Sequence, residues 1–143
     1  MGTNKISVKE LMIKNVVSVK SSDSLQNVAK KLYLKRVGSA IVMENDKPVG
    51  IITNRDIVNC IGSFDMSLES PASKIMSSPL IYVHPDESII EVAEIMTSKN
   101  IRKIPVIVNN EVLGIISASD LVVIFTMLKE EDLSKIFRPY RNN

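Results

Sequence analysis

Two heptapeptides decide the fold: Gly50-Ile51-Ile52-Thr53-Asn54-Arg55-Asp56 and Gly114-Ile115-Ile116-Ser117-Ala118-Ser119-Asp120. They stand 64 residues apart, and that single shift superposes residues 8–63 on residues 72–127, 56 positions without a gap. Met12 then falls on Met76, Val19 on Val83, Ser24 on Ser88, Val28-Ala29 on Val92-Ala93 and Lys35 on Lys99. Chance does not produce an ungapped match of this length, so the chain is a tandem duplication. Between the copies, residues 64–71 carry Ser67, Ser70 and Pro71 and read as a short linker.

Outward from the heptapeptides, each copy shows the same pattern. A short strand is expected at residues 16–19 and 80–83, followed by a polar turn, Lys20-Ser21-Ser22-Asp23 or His84-Pro85-Asp86-Glu87. Leu25, Val28, Ala29 and Leu32, like Ile89, Val92, Ala93 and Met96, recur at helical spacing and predict an amphipathic helix. Asp23 and Asp86 lie near the helix starts, where a carboxylate suits free amides and the positive dipole end. Strands follow at residues 39–43 and 49–52, and at 104–108 and 112–116, joined by turns with hairpin chemistry, Glu44-Asn45-Asp46-Lys47-Pro48 and Asn109-Asn110-Glu111. A last helix starts near Thr53 or Ser117. The unit is β-α-β-β-α, twice. One copy of about 60 residues is near the limit for independent stability, so the expectation is an α+β body in which two copies pack with pseudo-two-fold symmetry. The expected organisation is residues 6–63, a linker at 64–71, residues 72–128 and a helical, basic tail at 129–143.

The composition excludes several function classes. Of 143 residues, 45% are hydrophobic and 24% charged, which is ordinary for a globular chain. Aromatics are only 4%, so Ile, Val, Leu and seven Met must fill the core. Cys60 and His84 are the only residues of their kinds, which rules out an internal disulfide and a Cys/His zinc cluster. A net charge of +2 argues against a broad nucleic-acid footprint. No apolar run approaches the roughly 18 residues of a membrane span, and Met-Gly-Thr-Asn-Lys-Ile-Ser lacks the apolar core of a secretory signal. A cytoplasmic, non-enzymatic protein is expected. There is no Walker phosphate loop and no Gly-x-Gly-x-x-Gly.

The duplicated pattern resembles tandem cystathionine-β-synthase (CBS) domains, paired as a Bateman module, over residues 6–128. The resemblance rests on Leu11-Met12 and Ile75-Met76, on Arg36-Val37-Gly38 and Ile101-Arg102-Lys103-Ile104-Pro105-Val106, and above all on the two Gly-Ile-Ile-(Thr/Ser)-x-x-Asp endings. It implies a regulatory module that binds adenosine-containing ligands (AMP, ADP, ATP, S-adenosylmethionine or NAD) in clefts between the copies, and that associates into a dimer. No required cofactor and no catalytic domain are expected, so the regulated partner is expected to be a separate molecule. A ligand-free interaction scaffold and a weak nucleic-acid binder are the alternatives.

The resemblance also assigns site residues. Asp56 and Asp120 offer two acceptor oxygens to a ribose diol. Thr53 and Ser117, at a strand-to-helix turn, place hydroxyls and free amides near phosphate oxygens. Thr-x-x-Asp and Ser-x-x-Asp are equally plausible helix capping boxes, and the two roles are compatible. Gly50 and Gly114 permit close approach of a ligand or another backbone. One cleft would join Ser117, Ser119 and Asp120 to Met12, Val16, Val17, Val37 and Gly38, with Arg102 and Lys103 facing the phosphates. The other would join Thr53, Arg55 and Asp56 to Met76, Leu80, Ile81 and Ile101, with Gly38 and Ser39 at the positions matching Arg102 and Lys103. On this reading the Asp120 cleft takes phosphorylated ligand better, and Arg55 partly compensates in the other. Copy two continues through Leu121, Val122, Ile124, Phe125 and Leu128, an apolar surplus that suits either a dimer surface or cover for its own sheet.

Overall fold

The computed structural model describes residues 6–63 and 66–127; Phe64 and Asp65 of the linker, and the tail from Leu128 onward, lie outside the described residues. Two hairpins form its centre. β2 (Ser39–Glu44) pairs antiparallel with β3 (Lys47–Thr53), and β4 (Lys103–Val108) with β5 (Glu111–Ser117). The connecting residues Asn45 and Asp46 have φ of 52° and 62°, and Asn109 and Asn110 have 51° and 65°. Two successive positive φ values make the type I′ turn, which Asn and Asp tolerate better than most residues. A register shift after Val42 and after Val106 leaves Val49 and Leu113 as bulge residues at matching places.

Helices α1 (Leu25–Lys35) and α4 (Ile89–Lys99) bury Leu25, Val28 and Leu32, and Ile89, Val92 and Met96. Their caps are Ser24 and Ser88, whose hydroxyls accept the amides of Asn27 and Glu91 at 3.1 and 3.2 Å. Asp23 and Asp86 are therefore not the caps expected from sequence. Asp23 closes the preceding turn by accepting the Lys20 amide at 2.8 Å, and Glu87, its counterpart, accepts the His84 amide at 3.2 Å. Asp86 instead pairs with Lys9 at 2.9 Å. Arg36 and Asn100 end the two helices in the left-handed region, at φ 56° and 53°. α2 (Asn54–Ser63) and α5 (Ala118–Met127) follow the hairpins directly.

The copies differ at their first strand. β1 (Ser18–Lys20) runs parallel to β2 and makes a three-stranded sheet, two residues further along the chain than residues 16–19. The strand expected at residues 80–83 is reduced to one parallel bridge between Val83 and Val106. Position 105 explains the difference. In copy one the Ile41 amide donates to the Val17 carbonyl at 2.9 Å. Its counterpart is Pro105, which has no amide hydrogen, so Ile81 loses the matching ladder bond.

The copies also exchange their leading segments. α3 (Ala72–Ile75), at the start of copy two, packs into the core of copy one, with Ala72 and Ile75 beside Leu25, Val28 and Ile52. Reciprocally Val8, in the 3-10 turn Val8–Glu10, is fully buried among Val83, Ile89, Val92 and Ile116. Backbone bonds repeat the exchange. Val8 N–H donates to Glu87 at 2.8 Å and Ala72 N–H to Asp23 at 2.7 Å, while Leu25 N–H donates to Ser70 at 2.8 Å and Ile89 N–H to Ile6 at 3.0 Å. Burying a side chain such as Val8 contributes roughly 1.5–3 kcal/mol, so each half draws stability from the other's first residues.

Past these segments, Ile13 bridges Ile115 and Ser77 bridges Ile51. A Cβ added at Gly114 would lie 2.7 Å from Met12 Sδ and 2.9 Å from the Ile13 oxygen; at Gly50 it would lie 2.5 Å from Met76 Sδ and 3.0 Å from the Ser77 oxygen. The close approach these glycines permit is that of the other copy's chain.

Candidate functional site

Both Asp carboxylates close the start of the helix they head, but only the Ser117/Asp120 pair is a reciprocal capping box. The Thr53 amide donates to Asp56 Oδ2 at 2.9 Å and its hydroxyl to the same oxygen at 3.2 Å. The Ser117 amide donates to Asp120 Oδ2 at 2.8 Å, and the Asp120 amide returns a bond to Ser117 Oγ at 3.1 Å. The first helix amides are engaged too: Asn54 N–H donates to Gly38 at 3.0 Å and Ala118 N–H to Arg102 at 2.8 Å. These two amides are thus not the free phosphate donors expected. Each carboxylate, however, uses only Oδ2. Oδ1 has no hydrogen-bond partner among the described residues, so capping leaves one oxygen of each Asp for a ligand.

Two clefts flank the pseudo-dyad, and they are unequal. The Asp56 cleft holds about 700 Å³ and the Asp120 cleft about 190 Å³. The larger one is lined by Thr53, Arg55, Asp56, Gly38, Ile81 and Ile101 as expected, together with Arg102 and Lys103. The smaller one is lined by Ser117, Asp120, Val16, Val17, Val37 and Gly38 as expected, together with Ser39 and Lys103. Arg102 is thus placed in the opposite cleft from the one assigned to it. Its carbonyl, not its side chain, faces the start of α5, where it accepts the Ala118 amide. Ser39, assigned to the Asp56 cleft, lines the Asp120 cleft instead. Lys103 reaches both because Gly38 has no side chain: a Cβ there would lie 2.6 Å from Lys103 Nζ.

Four expected residues are not among the lining groups. Met12 and Met76 turn their thioethers onto Gly114 and Gly50, so they belong to the packing between copies. Ser119 is exposed and outside the Asp120 cleft, and Leu80 lies outside the Asp56 cleft. Sequence reasoning missed Ile13 and Asn15 in the small cleft, and Asn54, Asn59, Ser77, Pro79, Lys99 and Asn100 in the large one. Asn59 could have been found from helical spacing, three residues after Asp56 on the same face. Ser77 and Ile13 follow only from the exchange of leading segments.

Charge separates the clefts as clearly as size. Arg55, Lys99, Arg102 and Lys103 surround the large cleft and, among the described residues, Asp56 is its only carboxylate; the small cleft has Lys103 and Asp120 as its only charged groups among the described residues. Burial pushes the Lys103 pKa down, and the nearby Asp120 carboxylate pulls it partly back. Its ammonium group has no hydrogen-bond partner among the described residues. A half-buried cation without a paired anion favours an anionic ligand.

Other features offer less chemistry. An open groove of about 770 Å³ near Tyr33, Leu34 and Val58 contains Arg36 but no carboxylate among the described residues. Cys60 is buried in the first core, and burial, with Asp56 second, raises its thiol pKa, away from nucleophile character. His84 is exposed, and its Nδ1 accepts the Asp86 amide at 3.2 Å. The described residues contain no cluster of three metal-ligating side chains, and none of their helices is long and apolar enough to cross a membrane.

Comparison with known proteins agrees with this geometry. The CBS domain-containing protein YhcV of Bacillus subtilis is 29% identical over 117 residues, spanning 82% of this chain and 84% of its own. Among solved structures, the CBS domain pair of protein MJ0100, in complex with 5′-methylthioadenosine and S-adenosyl-L-methionine, superposes with a TM-score of 0.80 at 28% identity, covering 87% of this chain and 99% of that one. A hexameric CBS-CP12 protein from bloom-forming cyanobacteria gives 0.78 at 27% identity, over 96% and 81% of the two chains. The CBS domain family matches residues 8–63 and again 72–126. With two matched domains that exchange segments across a pseudo-dyad, the chain belongs to the CBS domain family, as a CBS pair.

Proposed function

We propose that this CBS pair is a non-enzymatic regulatory module that binds an adenine nucleotide, AMP, ADP or ATP, and signals to a separate partner. The observation that carries the reading is the Asp56 cleft: a carboxylate with one free oxygen, facing four cations across about 700 Å³. Asp56 Oδ1 takes the ribose hydroxyls, while Arg55, Arg102 and Lys103 take the phosphates, the arginines as planar forks and the lysine as a point charge. Adenine lies against Ile81 and Ile101, without an aromatic platform. The adenosine ligands of the MJ0100 pair support this class of ligand, and S-adenosylmethionine or NAD remain within it. Asp120, Ser117, Val16, Val17 and Val37 form the second, smaller site.

Calorimetric titration with AMP, ADP, ATP, S-adenosylmethionine and NAD tests the proposal. Binding is expected, and Asp56→Ala is expected to weaken it about 10- to 100-fold, because a charged hydrogen bond contributes roughly 1.5–3 kcal/mol. Silence from all five ligands on folded, ligand-free protein would refute it and leave the scaffold reading. Weak nucleic-acid binding through the same cations predicts steep loss of affinity with salt, and salt-independent association would count against it.

The proposal includes a cytoplasmic homodimer. Val58 and Ile61 on α2, and Val122 and Met127 on α5, are 57–76% exposed, and Val58 and Val122 occupy matching positions. Two apolar helix faces related by the internal dyad can be buried together by a second copy. The assembly of the CBS-CP12 neighbour supports association among related chains. Sedimentation equilibrium showing only monomer at tens of micromolar would overturn this part.

A further inference from the structure

Lys103 stands at the junction of the two clefts, and its surroundings are uneven. Its ammonium group is seated against Gly38, where any side chain would collide with it: an added Cβ would lie 2.6 Å from Nζ. No acceptor among the described residues receives its hydrogens, so Asp120 compensates its burial only through space. A lysine carries a strongly hydrated charge on a flexible stem and can leave such a seat. On one side lie Arg55, Lys99 and Arg102, already arranged for an anion. On the other lies a cleft of about 190 Å³, smaller than the roughly 300 Å³ usual for a small-molecule pocket, in which Lys103 and Asp120 are the only charged groups among the described residues.

We propose that Lys103 couples the two clefts: phosphate bound in the Asp56 cleft draws its ammonium group away from Asp120, enlarging the Asp120 cleft and leaving an uncompensated carboxylate there. The second cleft then accepts an uncharged nucleoside and rejects a phosphorylated one. One chain would in this way hold two different adenosine ligands, with the first setting the affinity for the second. The inference rests on the nucleotide reading of the Asp56 cleft. Because the coupling is between binding equilibria it is reciprocal: nucleoside in the small cleft strengthens nucleotide binding in the large one by the same factor.

The test titrates adenosine, and separately AMP, into the full chain with and without saturating ATP, and repeats this with Lys103→Met. Asp120→Asn identifies the heat that belongs to the small cleft. In the wild type, ATP is expected to tighten adenosine binding there by about 5-fold or more and to weaken AMP binding. Lys103→Met is expected to retain ATP, more weakly, through Arg55 and Arg102, while adenosine affinity no longer depends on ATP. Lys103→Gln serves as the second variant should the first fail to fold. Equal ATP dependence in the wild type and the Lys103 variants would overturn the coupling. ATP binding with no effect on adenosine would also overturn it while leaving the nucleotide reading intact. Absence of binding by both ligands would remove the two together.

Discussion

Gly114→Ala offers the sharpest test of the contact between the copies. The new Cβ would lie 2.7 Å from Met12 Sδ and 2.9 Å from both Met12 Cγ and the Ile13 oxygen, well inside ordinary contact. Met12 is flexible and can swing aside, but the Ile13 oxygen is fixed. It accepts the Ile115 amide at 2.9 Å, and the Ile13 amide donates back to Ile115 at 2.8 Å. Relieving the clash therefore strains or breaks two hydrogen bonds, each contributing about 1 kcal/mol. Overpacking around Met12 adds about 1–3 kcal/mol. Against this, alanine stabilises by about 0.4–1 kcal/mol through the unfolded chain. The net expectation is a destabilisation of about 2–4.5 kcal/mol. With a slope of about 2 kcal/mol/M in urea, the midpoint should fall by about 1–2 M. Gly62, with nothing within 4 Å of its added Cβ, is the control. Gly62→Ala in α2 should be neutral or stabilising by up to ~1 kcal/mol. Adding Met12→Ala to Gly114→Ala should cost less than the two changes summed, since the first removes part of the second's clash. A Gly114→Ala midpoint within error of wild type, or strict additivity in the double variant, would refute the reasoning.

The remaining expectations are simpler. Ser24→Ala and Ser88→Ala should each destabilise by about 1 kcal/mol in denaturant melts, whereas Asp86→Asn should leave α4 capped and cost less than Ser88→Ala. The Lys9 hydrogen bond, then its charge, holds the Asp86 carboxyl below its usual range, and the same bond raises Lys9. Stability from this pair is thus complete at neutral pH and is lost as pH falls through the folded Asp86 pKa; at the alkaline end it is lost as pH rises through that of Lys9. Melts of wild type and Lys9→Met should therefore converge at acid pH, and at neutral pH in high salt, since the pair is exposed. Cys60 should react slowly with a thiol reagent in the native state and quickly in urea, because burial both shields it and raises its pKa.

Much of the fold was legible because its determinants are local. The Asn45-Asp46 and Asn109-Asn110 turns and the spacing of Leu25, Val28 and Leu32 each act within a few residues of chain, and the 64-residue repeat states them twice. The errors came where a neighbour in space decided the outcome. The loss of the strand at 80–83 depends on Pro105, some twenty residues away in sequence but opposite in the sheet. Met12 and Met76 pack against Gly114 and Gly50, a contact between the copies that is visible only in three dimensions. Arg102 and Lys103 are adjacent in sequence, yet Arg102 lines the large cleft only while the bare Gly38 lets Lys103 touch both. The capping role of Asp56 and Asp120 was foreseeable from spacing; that it leaves Oδ1 open was not.

The traded leading segments have a consequence for ancestry and assembly. Val8 occupies a groove in copy two that Ala72 and Ile75 fill in copy one. A single repeat alone would have both an empty groove and an arm shaped for it, so two separate repeats would complete each other by trading arms. Gene fusion would then turn an encounter between two molecules into one within a single chain, free of dilution. The linker that makes the encounter certain also leaves the trade reversible between neighbours: opened chains at high concentration can lend their arms to one another and lock as an intertwined pair.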